Sequence, residues 1–456
     1  MSEKNYDAIV IGAGPAGEVA AGRLADAGQK VAIVEPELIG GECSFYACMP
    51  SKALLRPGEL LAEVRRVPGA AEAVSGELDV PAVLARRDEV IHHLDDSGQL
   101  PWLESRGIDL FRERGRLDGE RRVLAGEDTL LAPAVIVATG TGALIPPIDG
   151  LSESEPWTSR EITTAKSVPG RLAILGGGVV GVEMAQAWRR LGSQVTLIEA
   201  ADRLIAREEP FASEQVTDSL REAGVDVRLG QKATAARRVE GEVTLDLEGG
   251  PTVVADELVV AIGRRPRTED LGLESVGLEP GESIEVDDSM RATGVDGAWL
   301  YAVGDVNGRT LLTHMGKYQA RIAADVIQGG DARVTADGPV SPRVIFTDPQ
   351  VAAVGHTLAS AQDAGLEVRA VDATTSGNAG GSFYGKDAPG TTRLVVDEGR
   401  GVIVGATITG SEIADFLHAA TIAVVAEVPL ERLAHAVPSF PTRSEVWLNL
   451  LEKLGL

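Results

Sequence analysis

Cys43 and Cys48 are the only cysteines in the 456 residues, and both lie in the run GGECSFYACMPSK at positions 40–52. Two thiols this close can pass between dithiol and disulfide, a two-electron exchange. On a regular helix their Cα atoms would stand about 7.5 Å apart along the axis alone. A disulfide wants less than about 7 Å in total. A bridge between them therefore demands a distorted backbone, and a strained bridge is an easily reduced one. Taken alone, the pair is equally well read as two unrelated thiols.

What surrounds the pair supplies a source of electrons. An apolar, β-branched run at 6–10 leads into Gly12, Gly14 and Gly17 of GAGPAG, followed by a helical stretch at 16–27 that stops at Gly28. A second strand at 30–34 ends in Glu35. Strand, glycine turn, helix, strand and acidic end form a dinucleotide fingerprint: the glycines admit a pyrophosphate to the helix N-terminus, and the carboxylate accepts ribose hydroxyls. The unit recurs. Residues 171–175 lead into Gly176, Gly178 and Gly181, a helix runs to Leu191 and stops at Gly192, and the strand at 194–198 ends in Glu199. The spacing from Gly12 to Gly28 equals that from Gly176 to Gly192, and the spacing from Gly12 to Glu35 equals that from Gly176 to Glu199. Two such folds imply two dinucleotides, with FAD and a nicotinamide coenzyme the natural pair because hydride passes between them. The alternative is a duplicated fold that has lost one ligand.

Further segments close these units. A buried strand pattern ends at Thr139 and Gly140, and a similar one at Gly263. Residues 300–303 lead to Gly304 and Asp305, an aspartate placed to hold a sugar-phosphate hydroxyl. A helix beginning at Leu312, Thr313 and His314 would turn its positive end toward a flavin ring. Residues 53–103 read as amphipathic helices, 107–123 as short strands, and the stretch after Gly281 as alternating strand. Residues 335–342 read as a linker. The remainder alternates strands at 343–346, 366–371, 392–396 and 402–408 with helices at 413–425 and 444–454. The expected fold is α/β: two Rossmann-like three-layer nucleotide-binding domains plus a C-terminal α+β dimerisation domain. The segments are 1–150 and 270–334 for FAD, 151–269 for NAD(P), and 335–456 for the interface.

The net charge of −25 and pI near 4.7 argue against nucleic acid and anionic membrane as partners. No run of about 18 apolar residues suggests a membrane span. The N-terminal residues read as a core strand rather than a secretory signal, which points to a cytoplasmic protein. In that compartment a disulfide is usually catalytic. No metal site is expected from the Cys and His spacing.

Together these motifs resemble the pyridine nucleotide-disulfide oxidoreductases, the group of dihydrolipoamide dehydrogenase, glutathione reductase and mercuric reductase. The resemblance is carried by GAGPAG, C-x-x-x-x-C-x-P-S-K, the ATG ending at Gly140, GGGVVGVE ending at Glu183, AIGRRP, AVGD, FTDP and P-T-x-x-E ending at Glu445. It implies that NAD(P)H reduces FAD and FAD reduces a Cys43–Cys48 disulfide, with Cys48 nearest the flavin and Cys43 the outer thiol. It also implies a Lys52–Glu183 ion pair beside the flavin, flavin contacts from Gly41 and position 42, and a homodimer. Glu199 favours NAD(H), while Arg203 and Arg207 keep NADP(H) open.

The departures lie on the outer side. Where the family places a histidine base before Pro-Thr stands Phe440, which moves no proton. Glu445, the residue that would orient that histidine, is retained. His435 is a candidate substitute, although a surface or capping role suits it better. Glu42 replaces the family's usual Thr, and Phe45 and Tyr46 are bulky between the cysteines. The expectation is an FAD-dependent NAD(P)H oxidoreductase passing electrons through Cys43–Cys48 to a small-molecule acceptor (a quinone, a metal ion or an unusual disulfide). The alternatives are a dihydrolipoamide dehydrogenase or other small-disulfide reductase, a soluble transhydrogenase-like enzyme, and a flavin-bearing binding or scaffold protein.

Overall fold

The computed structural model describes residues 2–385, 388 and 390–456. The chain forms two compact units, one of residues 1–50, 88–144 and 264–338, the other of residues 51–87, 145–263 and 339–456.

The first unit is built on a five-stranded parallel sheet in the order Leu300–Ala302, Ala134–Val137, Ala8–Ile11, Val31–Val34, Asp109–Phe111. The central strands read as continuous apolar runs because both faces are covered. Val10, Ile33 and Ile136 point to one face, against Leu24 and Ala323 of the helices Pro15–Asp26 and Thr313–Ile327. Ile9, Ile11, Val34 and Val135 point to the other, against Leu117, Val123 and Leu130. Those three come from a second sheet in the order Ser2–Asn5, Asp128–Leu131, Arg122–Ala125, Gly115–Leu117. Helix layer, parallel sheet and second sheet make the expected three layers. Strands Thr141–Ala143 and Arg264–Pro266 pair antiparallel beside them. The alternating pattern after Gly281 forms no ladder: up to strand Leu300–Ala302 it makes only the isolated bridges Val286–Ala292 and Arg291–Tyr301. Its apolar positions serve instead as plugs, Ile284 and Ala292 under one face and Met290 under the other.

The second unit repeats the theme. Its parallel sheet runs Asp226–Arg228, Gln194–Ile198, Arg171–Leu175, Glu257–Val260. Helix Val179–Arg190 buries Trp188 completely against it, and a three-stranded antiparallel sheet covers the other face. The C-terminal part is a five-stranded antiparallel sheet in the order Arg343–Ile345, Gln350–Gly355, Val402–Gly410, Thr391–Asp397, Val368–Thr374. Helices Leu417–Val425 and Val446–Leu454 pack on it. Strand Gln350–Gly355 is buried at every residue. The sequence reading passed over it because it shows no period-two alternation.

Candidate active site

The cysteine run folds as two helices with a break between them. Gly41–Phe45 forms a short helix, Tyr46 leaves helical geometry at φ −133° and ψ −3°, and Cys48 opens the helix Cys48–Arg66. A bridge between the two cysteines would require a break of this kind. The pair is present as two free thiols rather than a bridge. Hydrogen bonding to the neighbouring Cys48, followed by burial, pushes the Cys43 thiol far up. A negative charge on Cys48 would therefore disfavour ionisation of Cys43. Cys48 Sγ also lies 3.5 Å from Thr313 Oγ1, at the first residue of helix Thr313–Ile327. The amide end of the helix that Cys48 opens favours negative charge at that sulfur. Phe45 is 2 % exposed and fills the space under Gly40, which accounts for one bulky residue between the cysteines.

The two glycine turns are superimposable in their chemistry. Gly12 takes φ +102° and Gly176 φ +114°, and a Cβ on either would strike a carbonyl, of Ala138 or Ala261, at 2.5 Å. Gly17 and Gly181 lie against the carbonyls of Gly12 and Gly176, so helix and strand touch there. At Gly14 and Gly178 an added Cβ would meet nothing within 4 Å. The acidic strand ends match as well. Glu35 accepts from Ala13 N at 2.9 Å and Glu37 N at 2.8 Å. Glu199 accepts from Gly177 N at 2.6 Å and Ala201 N at 2.7 Å. Each carboxylate thus closes its own glycine turn, with lone pairs to spare for a sugar. Burial raises the Glu35 carboxyl despite those bonds.

In the first unit Thr141 Oγ1 donates to Asp305 Oδ2 at 2.9 Å, while Arg264 donates to Thr141 Oγ1 at 2.6 Å and to its carbonyl at 2.8 Å. Burial raises the Asp305 carboxyl. Arg267 donates to Glu42 Oε1 at 2.6 Å. Reading the sequence missed Thr141, Arg264 and Arg267; the basic run RRPR at 264–267 was the available signal.

In the second unit Lys52 Nζ lies 2.8 Å from Glu183 Oε2. Glu183 is 2 % exposed, and its other oxygen accepts from Phe346 N at 2.9 Å. The Lys52 ammonium also sits 4.8 Å over the Phe346 ring. The lysine and glutamate singled out by sequence are therefore brought together, and FTDP supplies the second ligand of the carboxylate. Arg203 donates to the carbonyls of Glu208 and Ala206, at 3.1 and 2.6 Å. Val179 and Ile262 stay exposed beside the turn, at 45 % and 41 %. Phe440 is 77 % exposed, and His435 is exposed too. Glu445 keeps a buried Oε2 with no hydrogen-bond partner among the described residues.

Known proteins match the chain over most of its length. Residues 6–322 match the family described as pyridine nucleotide-disulphide oxidoreductase, and residues 341–451 match its dimerisation domain. The chain belongs to the pyridine nucleotide-disulphide oxidoreductases. A dihydrolipoyl dehydrogenase of Chlamydia muridarum is 33% identical over 450 residues, 97% of this chain and 95% of the relative. A mercuric reductase of Lysinibacillus sphaericus is 29% identical over 458 residues, 98% of this chain and 82% of the relative. Among solved structures, the Cu(II) complex of the HOCl-induced flavoprotein disulfide reductase RclA of Escherichia coli superimposes with TM-score 0.87 at 25% identity, covering 99% of this chain and 100% of that one. LpdA of Mycobacterium tuberculosis shares the fold, with TM-score 0.86 at 24% identity, covering 100% of each chain.

The oxidoreductase is thus an FAD-dependent enzyme with NAD(P)H as its electron donor. The residues of the first unit fit the flavin dinucleotide. Gly14 leaves an open cradle, helix Pro15–Asp26 starts there without a side-chain cap, and Thr139 Oγ1 is buried with no hydrogen-bond partner among the described residues. The turn at Gly178 forms the same open cradle before an equally uncapped helix. No helix among the described residues is long and apolar enough to cross a membrane.

Proposed function

We propose that the oxidoreductase delivers electrons from NADH through the Cys43–Cys48 pair to an acceptor that takes no proton from a histidine base. A quinone, a thiophilic metal ion or an unusual disulfide fits that description. FAD, when bound, carries the electron pair between nicotinamide and sulfur. Gly12, Gly14, Gly17, Glu35, Gly41, Thr139, Gly140 and Asp305 hold it, with Leu312, Thr313 and His314 at its ring. Gly176, Gly178, Gly181, Glu199 and Gly263 hold the nicotinamide coenzyme. Lys52 and Glu183 form the ion pair that the family resemblance implies. In each turnover the disulfide takes up two electrons and two protons and becomes the dithiol, and Cys43 passes the electrons on.

The observation that carries this reading is Phe440, an exposed phenyl ring directly before Pro441 and Thr442, where a general base would be needed for a small-disulfide substrate. The solved relative that is a Cu(II) complex supports a metal ion among the acceptors. A second reading, reduction of lipoamide, is favoured by relatives named dihydrolipoyl dehydrogenase. The two separate when lipoamide, a quinone and thio-NADP are compared as acceptors with NADH as donor. Lipoamide turnover is expected to be slow and to rise roughly 10²-fold in Phe440→His. Fast lipoamide turnover by the native enzyme would overturn the reading. The enzyme is expected to act as a cytoplasmic homodimer.

A further inference from the structure

Glu42 introduces a carboxylate where a dinucleotide would bring its own negative charge. Gly41 abuts Gly14, since a Cβ on Gly41 would lie 2.9 Å from the Gly14 Cα, so Glu42 stands beside the first phosphate-binding turn. Asp305 lies close enough that Glu42 adds to the raising of its carboxyl by burial, and Glu35 belongs to the same unit. The side chain of Glu42 is only 18 % exposed; Arg267 lies 2.6 Å from it and Arg264 3.9 Å. Arg267 is itself fixed, its backbone N donating to the Gly140 carbonyl at 3.0 Å. Arg264 in turn grips Thr141, which grips Asp305. The Glu35 carboxyl is raised by burial, which the amides of Ala13 and Glu37 and, least, the Arg267 charge oppose.

We propose that the Glu42–Arg267 ion pair is a latch. It ties the short helix bearing Cys43 to the loop at Thr139–Gly140, whose Gly140 carbonyl holds Arg267, and it offsets the Glu42 charge so that the pyrophosphate can approach Gly14. Removing the Arg267 charge would leave less positive charge beside the Glu42 carboxylate, and like charges at close range repel, so an approaching phosphate would be disfavoured. Removing both partners leaves no such conflict. Glu42 and Arg267 are thus positioning residues, acting on flavin retention and on the stiffness of the cysteine turn.

The inference rests on FAD lying at the first glycine turn, and the test separates the two. The FAD dissociation constant is measured by equilibrium titration of apoprotein, alongside the rate at which iodoacetamide labels Cys43 in the reduced holoenzyme. Arg267→Gln is expected to weaken FAD binding at least roughly tenfold and to speed labelling. Glu42→Gln combined with Arg267→Gln is expected to return FAD binding to within about threefold of the native value, a non-additive pair. Arg267→Lys keeps the charge and is expected to stay within about threefold as well, which guards against reading a folding defect as a lost latch. Native-like FAD binding by Arg267→Gln, or a double variant as weak as the product of the singles, would overturn the latch alone. If the same behaviour appeared on NADH binding and not on FAD binding, the placement of the flavin would fall with it.

Discussion

Glu183 and Glu199 show two ways a carboxylate earns a position in this fold. Glu183 is almost fully buried and is satisfied twice, by Lys52 and by the amide of Phe346. A buried acid of this kind is tolerated only because each oxygen has a partner. Glu199 is held by two backbone amides, and those bonds fix its carboxyl group at the strand end, where the proposed nicotinamide site would bring a ribose. Arg203, one of the two cations that could answer a 2′-phosphate, donates to the carbonyls of Ala206 and Glu208, while Arg207 is exposed. NADH should therefore be much preferred over NADPH. Glu199→Gln keeps an acceptor oxygen and removes the charge; it is expected to shrink the ratio of kcat/KM values by at least roughly tenfold. An unchanged ratio would place the discrimination elsewhere. At this scale the sequence was informative because Glu35, Glu199, Lys52 and Glu183 sit at motif positions of fixed geometry. Arg264, Arg267 and Thr141 were not legible, since their partners Glu42 and Asp305 lie far away in the chain and no local periodicity records such a pairing.

The helices and strands around the turns were read well where periodicity or capping was strong. Strands Arg171–Leu175 and Gln194–Ile198 stand at the expected residues, and helix Pro15–Asp26 begins one residue early because Pro15 suits a first helical turn. Strand Gln350–Gly355 escaped because full burial erases alternation, and the bridges among residues 282–299 mimicked a strand because plug residues alternate with solvent-facing ones. Helix Pro15–Asp26 also carries a testable liability. Its Glu18 is pushed up to about 7 by burial, with Lys317 pulling the other way. The folded state thus binds a proton between pH about 4.5 and about 7 that the unfolded chain has released, so stability falls as pH rises through that window. Glu18→Gln is expected to raise the Tm at pH above about 7 and to leave it unchanged below about 4.5. A gain of equal size at both ends would mean that packing, not charge, limits this helix.

For the molecule as a whole, the C-terminal segment is the family's dimerisation domain, and it exposes Ile422 and Val425 on a helix that is apolar along most of its length. Light scattering is expected to give about twice the chain mass of 47.7 kDa, and Ile422→Lys with Val425→Lys to shift it toward one chain. A native monomer would contradict this. The central claim is that electrons entering from NADH leave through the two cysteines. The direct measurement is a thiol count. Oxidised enzyme is mixed anaerobically with one equivalent of NADH, quenched in denaturant with an alkylating agent, and weighed by mass spectrometry. Alkylation of both Cys43 and Cys48, absent before NADH was added, is the predicted result. NADH consumed in the presence of a quinone, with no alkylatable thiol appearing at any stage and turnover intact in Cys43→Ser, would contradict it.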